Sequence, residues 1–170
     1  MNLNQETKVK NIWYFRNKQP IVEAKRKGES QNFYGALNMS RSGKDKGGCV
    51  AIKTDKQNSE TSIKFLRKLL KIYRNKKIFL IWDNAGWHKS KKIRKFLSEI
   101  NKSKIRLELF NFSPYTPELN PQEHIWRALR QNITHNRFEK DFSVLIKKCM
   151  GFLNNNNFSS IRFEELFKRI

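Results

Sequence analysis

Acidic residues are scarce in this chain. Asp and Glu number 15 against 36 Lys and Arg, giving a formal charge of +21 over 170 residues. A chain this basic repels itself when compact unless a polyanion sits against it, so a nucleic-acid partner is expected. A/T-rich coding accounts for many Lys, Asn and Ile residues, but it would enrich Asp and Glu as well and cannot produce a one-sided excess. Long apolar runs are also missing: no stretch approaches the ~18 residues of a spanning helix, and "MNLNQETKVK" has no signal-peptide core. A soluble, cytoplasmic chain with no membrane partner is the expectation. Cysteine is limited to Cys49 and Cys149, neither with a second Cys or His at ligand spacing. That argues against a zinc site or a disulfide framework and leaves two core thiols. No internal repeat is present, and the length suits a single domain.

The first half alternates short apolar runs with turn signals: "NIWYF", "QPIVEA", "NFYGALNM", then "GGCVAIKT" after the Gly-rich "RSGKDKGG". These are expected to be antiparallel strands. From Ser59 the period becomes helical, with Ile63, Leu66, Leu70 and Tyr73 on one face and a cationic opposite face. "IFLIW" then reads as a buried strand, and "KKIRKFLSEI" as a basic helix with Ile93, Phe96, Leu97 and Ile100 inward. "IRLELFNF" reads as another strand, followed by the Pro-rich loop "FSPYTPELNP" and a helix from Pro121. "DFSVLIKKCMGFL" and "IRFEELFKRI" are expected as closing helices around the polar run 154–157. Strands first, then helices interleaved with strands, imply an α/β mixed sheet with flanking helices.

Two acids stand out. Asp83 follows "IFLIW" at the start of a Gly-containing loop, where ligands and catalysis gather in α/β sheets. Asp83 and Asn84 are equally suited to turning the chain, because Asx side chains hydrogen-bond their own backbone. Glu123 would be the third residue of the Pro121 helix, able to form a capping box with Asn120. That role is compatible with metal ligation, since a helix N-terminus favours an ionised carboxylate and Mg²⁺ or Mn²⁺ requires oxygen donors. Two carboxylates in a cationic chain suit phosphoryl transfer, where two metal ions ~4 Å apart activate the attacking oxygen and stabilise the leaving one.

"FLIWDNAGWHKS", followed 40 positions after its Asp by the Glu of "FSPYTPELNPQEHIWRALR", resembles the catalytic core of DDE transposases of the Tc/mariner superfamily, in its prokaryotic insertion-sequence branch. "NIWYFRNKQPIV", "NFYGALN" and "THNRF" extend the similarity over about 12–138. The resemblance implies an RNase H-like fold, DNA strand cleavage and strand transfer with two Mg²⁺ (or Mn²⁺) ions, and three acids. Asp83 matches the second acid and Glu123 the third. The first, on the opening central strand, has no match: Glu6 is the sole acid ahead of "NIWYFRNKQP" and follows no apolar run. The helix-turn-helix segments of the family are absent as well. The expectation is a partial catalytic domain without its first central strand, reliant on an upstream transposase segment or a second protomer. The alternative is an inactive remnant that only binds DNA through charge.

Around these acids, His88 has three candidate roles: a contact near DNA or the reacting water, a loop-ordering hydrogen bond, or a metal ligand. His124, an adjacent helical residue about 100 degrees round from Glu123, reads as structural. Trp87 either stacks on a base or packs inward. Lys89, Lys91, Lys92, Arg94 and Lys95 cluster after the Asp83 loop, with no acid until Glu99, and Arg127 and Arg130 fall on the outward face of the Pro121 helix. These cations, with His88, are the candidate DNA contacts, positioning the backbone without reading sequence.

Overall fold

The computed structural model describes residues 1–158 apart from 7, 12, 19–20, 24–27, 40–46, 103, 105 and 115–118. The expected helix "IRFEELFKRI" lies outside the described residues, as does most of "RSGKDKGG".

Five strands and four helices make up the described architecture. Strands β1 (Asn2–Asn4), β2 (Ser30–Leu37) and β3 (Cys49–Thr54) form an antiparallel sheet in that order, whereas β4 (Ile78–Trp82) and β5 (Leu107–Asn111) form a separate parallel pair. The α/β class holds, but no described strand joins the two sheets into one. Helices α1 (Ser59–Ile72), α2 (Lys91–Ile100), α3 (Pro121–Leu129) and α4 (Phe142–Asn155) follow the sequence periods closely. A π-type turn at Arg130–Thr134 continues α3.

Local chemistry explains the helix starts. Asn58 Oδ1 accepts from the backbone N–H of Glu60 and Thr61, while the Thr61 hydroxyl accepts from Asn58 N, a capping box that begins α1. Ser90 Oγ accepts from Ile93 N at α2, and Asp141 accepts from Ser143 N and Val144 N at α4.

Two apolar cores result. Phe33, Cys49 and Ala51 on one face of β2–β3 pack with Ile125, Trp126 and Leu129 of α3 and Leu145, Ile146, Cys149 and Leu153 of α4. On the opposite face, Tyr34, Ala36, Val50 and Ile52 join Ile78, Leu80 and Trp82 of β4 against Phe65, Leu66 and Leu69 of α1 and Ile93 and Phe96 of α2. Both cysteines are free and buried in the first core, and burial pushes their thiols up to about 11 (Cys49) and about 12 (Cys149).

Two expected strands are not there among the described residues. Trp13, Tyr14 and Phe15 of "NIWYF" are exposed, and the chain turns at once, with Lys18 N donating to Phe15 O and Asn17 at φ 70. Ile21 of "QPIVEA" is likewise exposed and outside any strand. High β-propensity is insufficient where no neighbouring strand accepts the backbone hydrogen bonds. On the side of β2 away from β3, the strand that pairs is the short polar "NLN", which carries no apolar pattern.

Candidate active site

Asp83 begins the loop after β4. Its Oδ1 accepts from Ala85 N at 3.0 Å, the turn expected of an Asx residue, and the same oxygen lies 3.0 Å from His88 Nδ1. The loop is fixed at a second point by Asn84 Nδ2, which donates to Phe112 O at 2.6 Å beyond the end of β5. The hydrogen bond from His88 holds the Asp83 carboxyl below the usual carboxylate range, with partial burial opposing and the Ala85 N–H assisting. The His88 ring is buried, stacked on Trp82 at 4.0 Å with 3° between planes, and met edge-on by Trp87 at 5.9 Å. Asp83, by contrast, keeps 65 % of its side chain exposed against 8 % for His88. Thus turn formation uses one carboxylate oxygen and leaves the group open to a ligand. His88 Nε2 and Trp87 Nε1 are buried without a partner among the described residues. Trp87 packs against the His88 ring, and Ser59 Oγ holds its backbone carbonyl at 3.0 Å.

Glu123 sits in the first turn of α3. The expected capping box is only half formed: Asn120 Oδ1 accepts from Gln122 N at 3.1 Å, and no described bond runs from the Glu123 carboxylate back to Asn120. The carboxylate is therefore not consumed by the cap. What seats α3 is its close approach to β2 at Gly35, where a Cβ would come within 2.6 Å of the Trp126 ring and 2.8 Å of Gln122 Nε2. Gln122, unremarked in the sequence, is buried there with Nε2 3.8 Å from Cys49 Sγ. Only the packing of α3 on β2 reveals its position.

The two acids, one in the loop after β4 and one on α3, line one groove of about 1170 Å³ between β2 and β4. The Met1 amine lies at the same groove, donating to Phe33 O at 2.9 Å. Burial lowers that amine from its ordinary value, while Glu123 and then Asp83 act in the opposite sense by attracting its charge. Both carboxylates thus line one groove and attract the same amine. Hard oxygen donors of this kind fit Mg²⁺ or Mn²⁺, which commonly takes one or two protein carboxylates and completes its shell with water and substrate phosphate. No group of three His, Cys, Asp or Glu side chains able to hold a metal ion occurs among the described residues. Glu6 directly follows β1 and Gln5, whose Nε2 donates to Glu139 O and Lys140 O.

The candidate cations fall on two surfaces. Lys89, Lys91, Lys92 and Arg94 are exposed at the Asp83 loop and the start of α2. Lys92 is partly neutralised by Glu60 of α1, 2.6 Å away, an acid that is distant in sequence. Arg127 is exposed on α3, whereas Arg130 is half-buried with Nη1 3.4 Å from Met1 Sδ. No helix among the described residues is long and apolar enough to cross a membrane.

Comparison with known proteins agrees with the residues that suggested the family. A family model described as DDE superfamily endonuclease matches residues 1–146. Among curated proteins, the chain is 30% identical over 154 residues to the insertion element IS630 uncharacterized 39 kDa protein of Shigella sonnei, covering 90% of this chain and 42% of that one. It is 35% identical over 75 residues to the uncharacterized protein y4pE/y4sA of Sinorhizobium fredii, covering 44% of this chain and 50% of the relative. The chain therefore spans about half the length of the curated relatives it matches. Among solved structures, the Mos1 transposase paired-end complex with left transposon end aligns with a TM-score of 0.68 at 14% identity, covering 99% of this chain and 53% of that one. The Mos1 mariner paired end complex with Mn aligns at 0.66 and 15% identity, covering 99% and 50%. The fold is thus that of the mariner transposase catalytic region, and the chain belongs to the DDE superfamily endonucleases.

Proposed function

We propose that this chain carries two of the metal-binding acids of a transposase catalytic domain, and that its chemistry is Mg²⁺- or Mn²⁺-dependent cleavage and transfer of DNA strands at insertion-element ends. The observation that carries the reading is that Asp83 and Glu123, 40 positions apart and on different elements, line one groove and both attract the amine that lies there. A divalent ion bound there would stabilise charge developing on a scissile phosphate. Asp83 is the preorganised ligand and His88 its positioning residue; Glu123 supplies a second oxygen from the rigid start of α3. Lys89, Lys91 and Arg94 hold the approaching DNA backbone, while Lys92, shared with Glu60, contributes less. Arg127 and Arg130 extend the cationic surface along α3. With two carboxylates rather than three, the chain alone is expected to perform little strand transfer.

Calorimetric titration with Mn²⁺ tests the site. Asp83→Asn and Glu123→Gln should each weaken binding at least tenfold, and binding indifferent to both changes would remove the basis of the reading. Robust Mg²⁺-dependent nicking by the chain alone, lost in Asp83→Asn, would show instead that two acids suffice.

Affinity for duplex DNA should fall steeply with salt. Neutralising Lys89, Lys91 and Arg94 together should flatten the slope by about 0.9 for each DNA phosphate that no longer meets a cation. An unchanged slope would place the DNA elsewhere.

A reading as a DNA-binding remnant without catalysis is favoured by the lack of a three-acid cluster among the described residues. It predicts the same salt dependence with no Mn²⁺ site.

A further inference from the structure

Trp13 and Phe15 are 102% and 83% exposed, with Tyr14 between them at 55%. Single exposed apolar side chains need no explanation, but three consecutive rings in solvent mark an interaction surface. The backbone on either side of them is fixed. Ahead of the rings, Lys8 forms a parallel bridge with His135, Asn136 N donates to Lys8 O at 3.1 Å, and Lys10 N donates to Asn136 Oδ1 at 2.7 Å. Asn136 is at φ 55, a left-handed conformation that Asn tolerates. After the rings, a tight turn closes from Lys18 N to Phe15 O at 2.9 Å. The rings are therefore presented beside the π-type turn that continues α3, and from Glu123 to His135 the helical rise amounts to roughly 18 Å. Neither they nor the residues of the staple line the groove of Asp83 and Glu123.

Cations surround the rings. Lys8, Lys10, Arg16 and Lys18 are exposed, and no acid lies between Glu6 and Glu23. Across the staple, burial and then the charges of Lys10, Arg130 and Lys8 hold the His135 imidazole below its ordinary value, so these cations crowd one another. Like charges brought this close favour an anion laid against them.

We propose that the Lys8–Lys10 arm and the Trp13–Lys18 turn form a platform for a single DNA strand, on which Trp13 and Phe15 stack with unpaired bases while Lys8, Lys10 and Arg16 hold the adjoining phosphates. Chemistry selects this occupant. A second copy of the chain carries the same +21 charge and is repelled from a cationic surface. A duplex keeps its base faces within its own stack and offers the platform only phosphates, leaving the rings in water. Unpaired nucleotides supply both a face for each ring and a phosphate for each cation, and such stacking tolerates any base sequence. The binding itself needs neither metal nor catalysis. Its place in the reaction rests on the proposed function: strand cleavage frees single-stranded ends, and the platform would hold one of them away from the groove.

Fluorescence anisotropy in EDTA tests it with three labelled probes of about twelve nucleotides: an oligothymidylate, an abasic strand of the same length, and a duplex. The wild-type chain should bind the oligothymidylate at least tenfold more tightly than the abasic strand. Trp13→Ala with Phe15→Ala should remove that preference and leave duplex affinity within twofold, whereas Trp13→Phe with Phe15→Tyr, which keeps both rings, should retain it. Lys8→Gln with Lys10→Gln should weaken both single strands alike and flatten their salt slope by about 0.7 for each phosphate released. All the substituted side chains are exposed, and matching circular dichroism spectra verify the fold of each variant. Equal binding of the oligothymidylate and the abasic strand by the wild-type chain would overturn the proposal, as would equal losses for single strand and duplex in the double alanine variant. A wild-type dimer by sedimentation that this variant abolishes would also overturn it, because the rings would then meet a second copy. With no metal present, these results stand or fall separately from the Mn²⁺ titration that tests the catalytic reading.

Discussion

The half of the molecule that carries Glu123 and the half that carries Asp83 are built differently. Strands β2 and β3 are covered on both faces, by α3 and α4 on one side and α1 and α2 on the other. Among the described residues the β4–β5 pair is covered on one face only, with Phe79 60%, Ile81 44% and Phe110 48% exposed on the other. A carboxylate on the doubly covered half can rely on the layers beneath it, and Glu123 accepts no described side-chain hydrogen bond. Asp83, on the thinner half, depends on its own loop: Ala85 N, the His88 ring, the Trp82 stack beneath that ring, and Asn84 bonded to Phe112 O. Two neighbouring acids can thus be held in place by different means, one by global packing and one by local hydrogen bonds.

The largest expected effect challenges the packing side of this contrast. Leu129→Ala, at a fully buried α3 position, should cost about 2–5 kcal/mol of unfolding free energy. Phe110→Ser on the bare face should change stability by roughly 0.5 kcal/mol or less. Chemical denaturation of both variants is the check; comparable losses would mean that the β4–β5 face is covered after all. A smaller, more selective effect is expected at His88. His88→Phe keeps a ring to stack on Trp82 but removes the hydrogen bond to Asp83, so the melting temperature should barely move while Mn²⁺ affinity falls about tenfold. A large drop in melting temperature with unchanged affinity would make His88 structural only.

The smallest effect is in acid. Because the folded-state pKa of Asp83 is depressed, its ionised form is favoured by the fold. The stabilisation is present above the ordinary value of 3.8 and is lost as pH falls through the lower folded value. The stability difference between the wild-type chain and Asp83→Asn should therefore shrink below about pH 4, measured by denaturation across that range. Solvent screening of this exposed carboxylate keeps the effect small. A difference constant with pH would mean that His88 does not stabilise the charge.

Helices were legible where caps and period agreed. "SKKIRKFLSEI" carries an N-cap Ser90 and inward Ile93 and Phe96, and the structure places α2 at Lys91–Ile100. β4 and β5 were legible as strands from their apolar runs, but "IFLIW", expected to be buried, leaves Phe79 and Ile81 exposed because α1 and α2 pack on one face of β4 only among the described residues. "NIWYF" misled because propensity counts aromatics without asking what lies beside them, and β1 escaped notice because three polar-flanked residues owe their strand conformation entirely to β2. Glu60 beside Lys92 escaped for the same reason: it is brought there by α1 packing on α2, across 32 positions of chain.

By itself the sequence determined the family, the two candidate acids and the cationic surface, since these reside in residue identity and short-range spacing. Tertiary structure alone decided that Asp83 and Glu123 share a groove, that the buried His88 ring hydrogen-bonds the first of them, and that α3 packs on β2 at Gly35. Those are relations between segments far apart in the chain, set by burial and by where backbone hydrogen bonds find partners, and no local pattern encodes them.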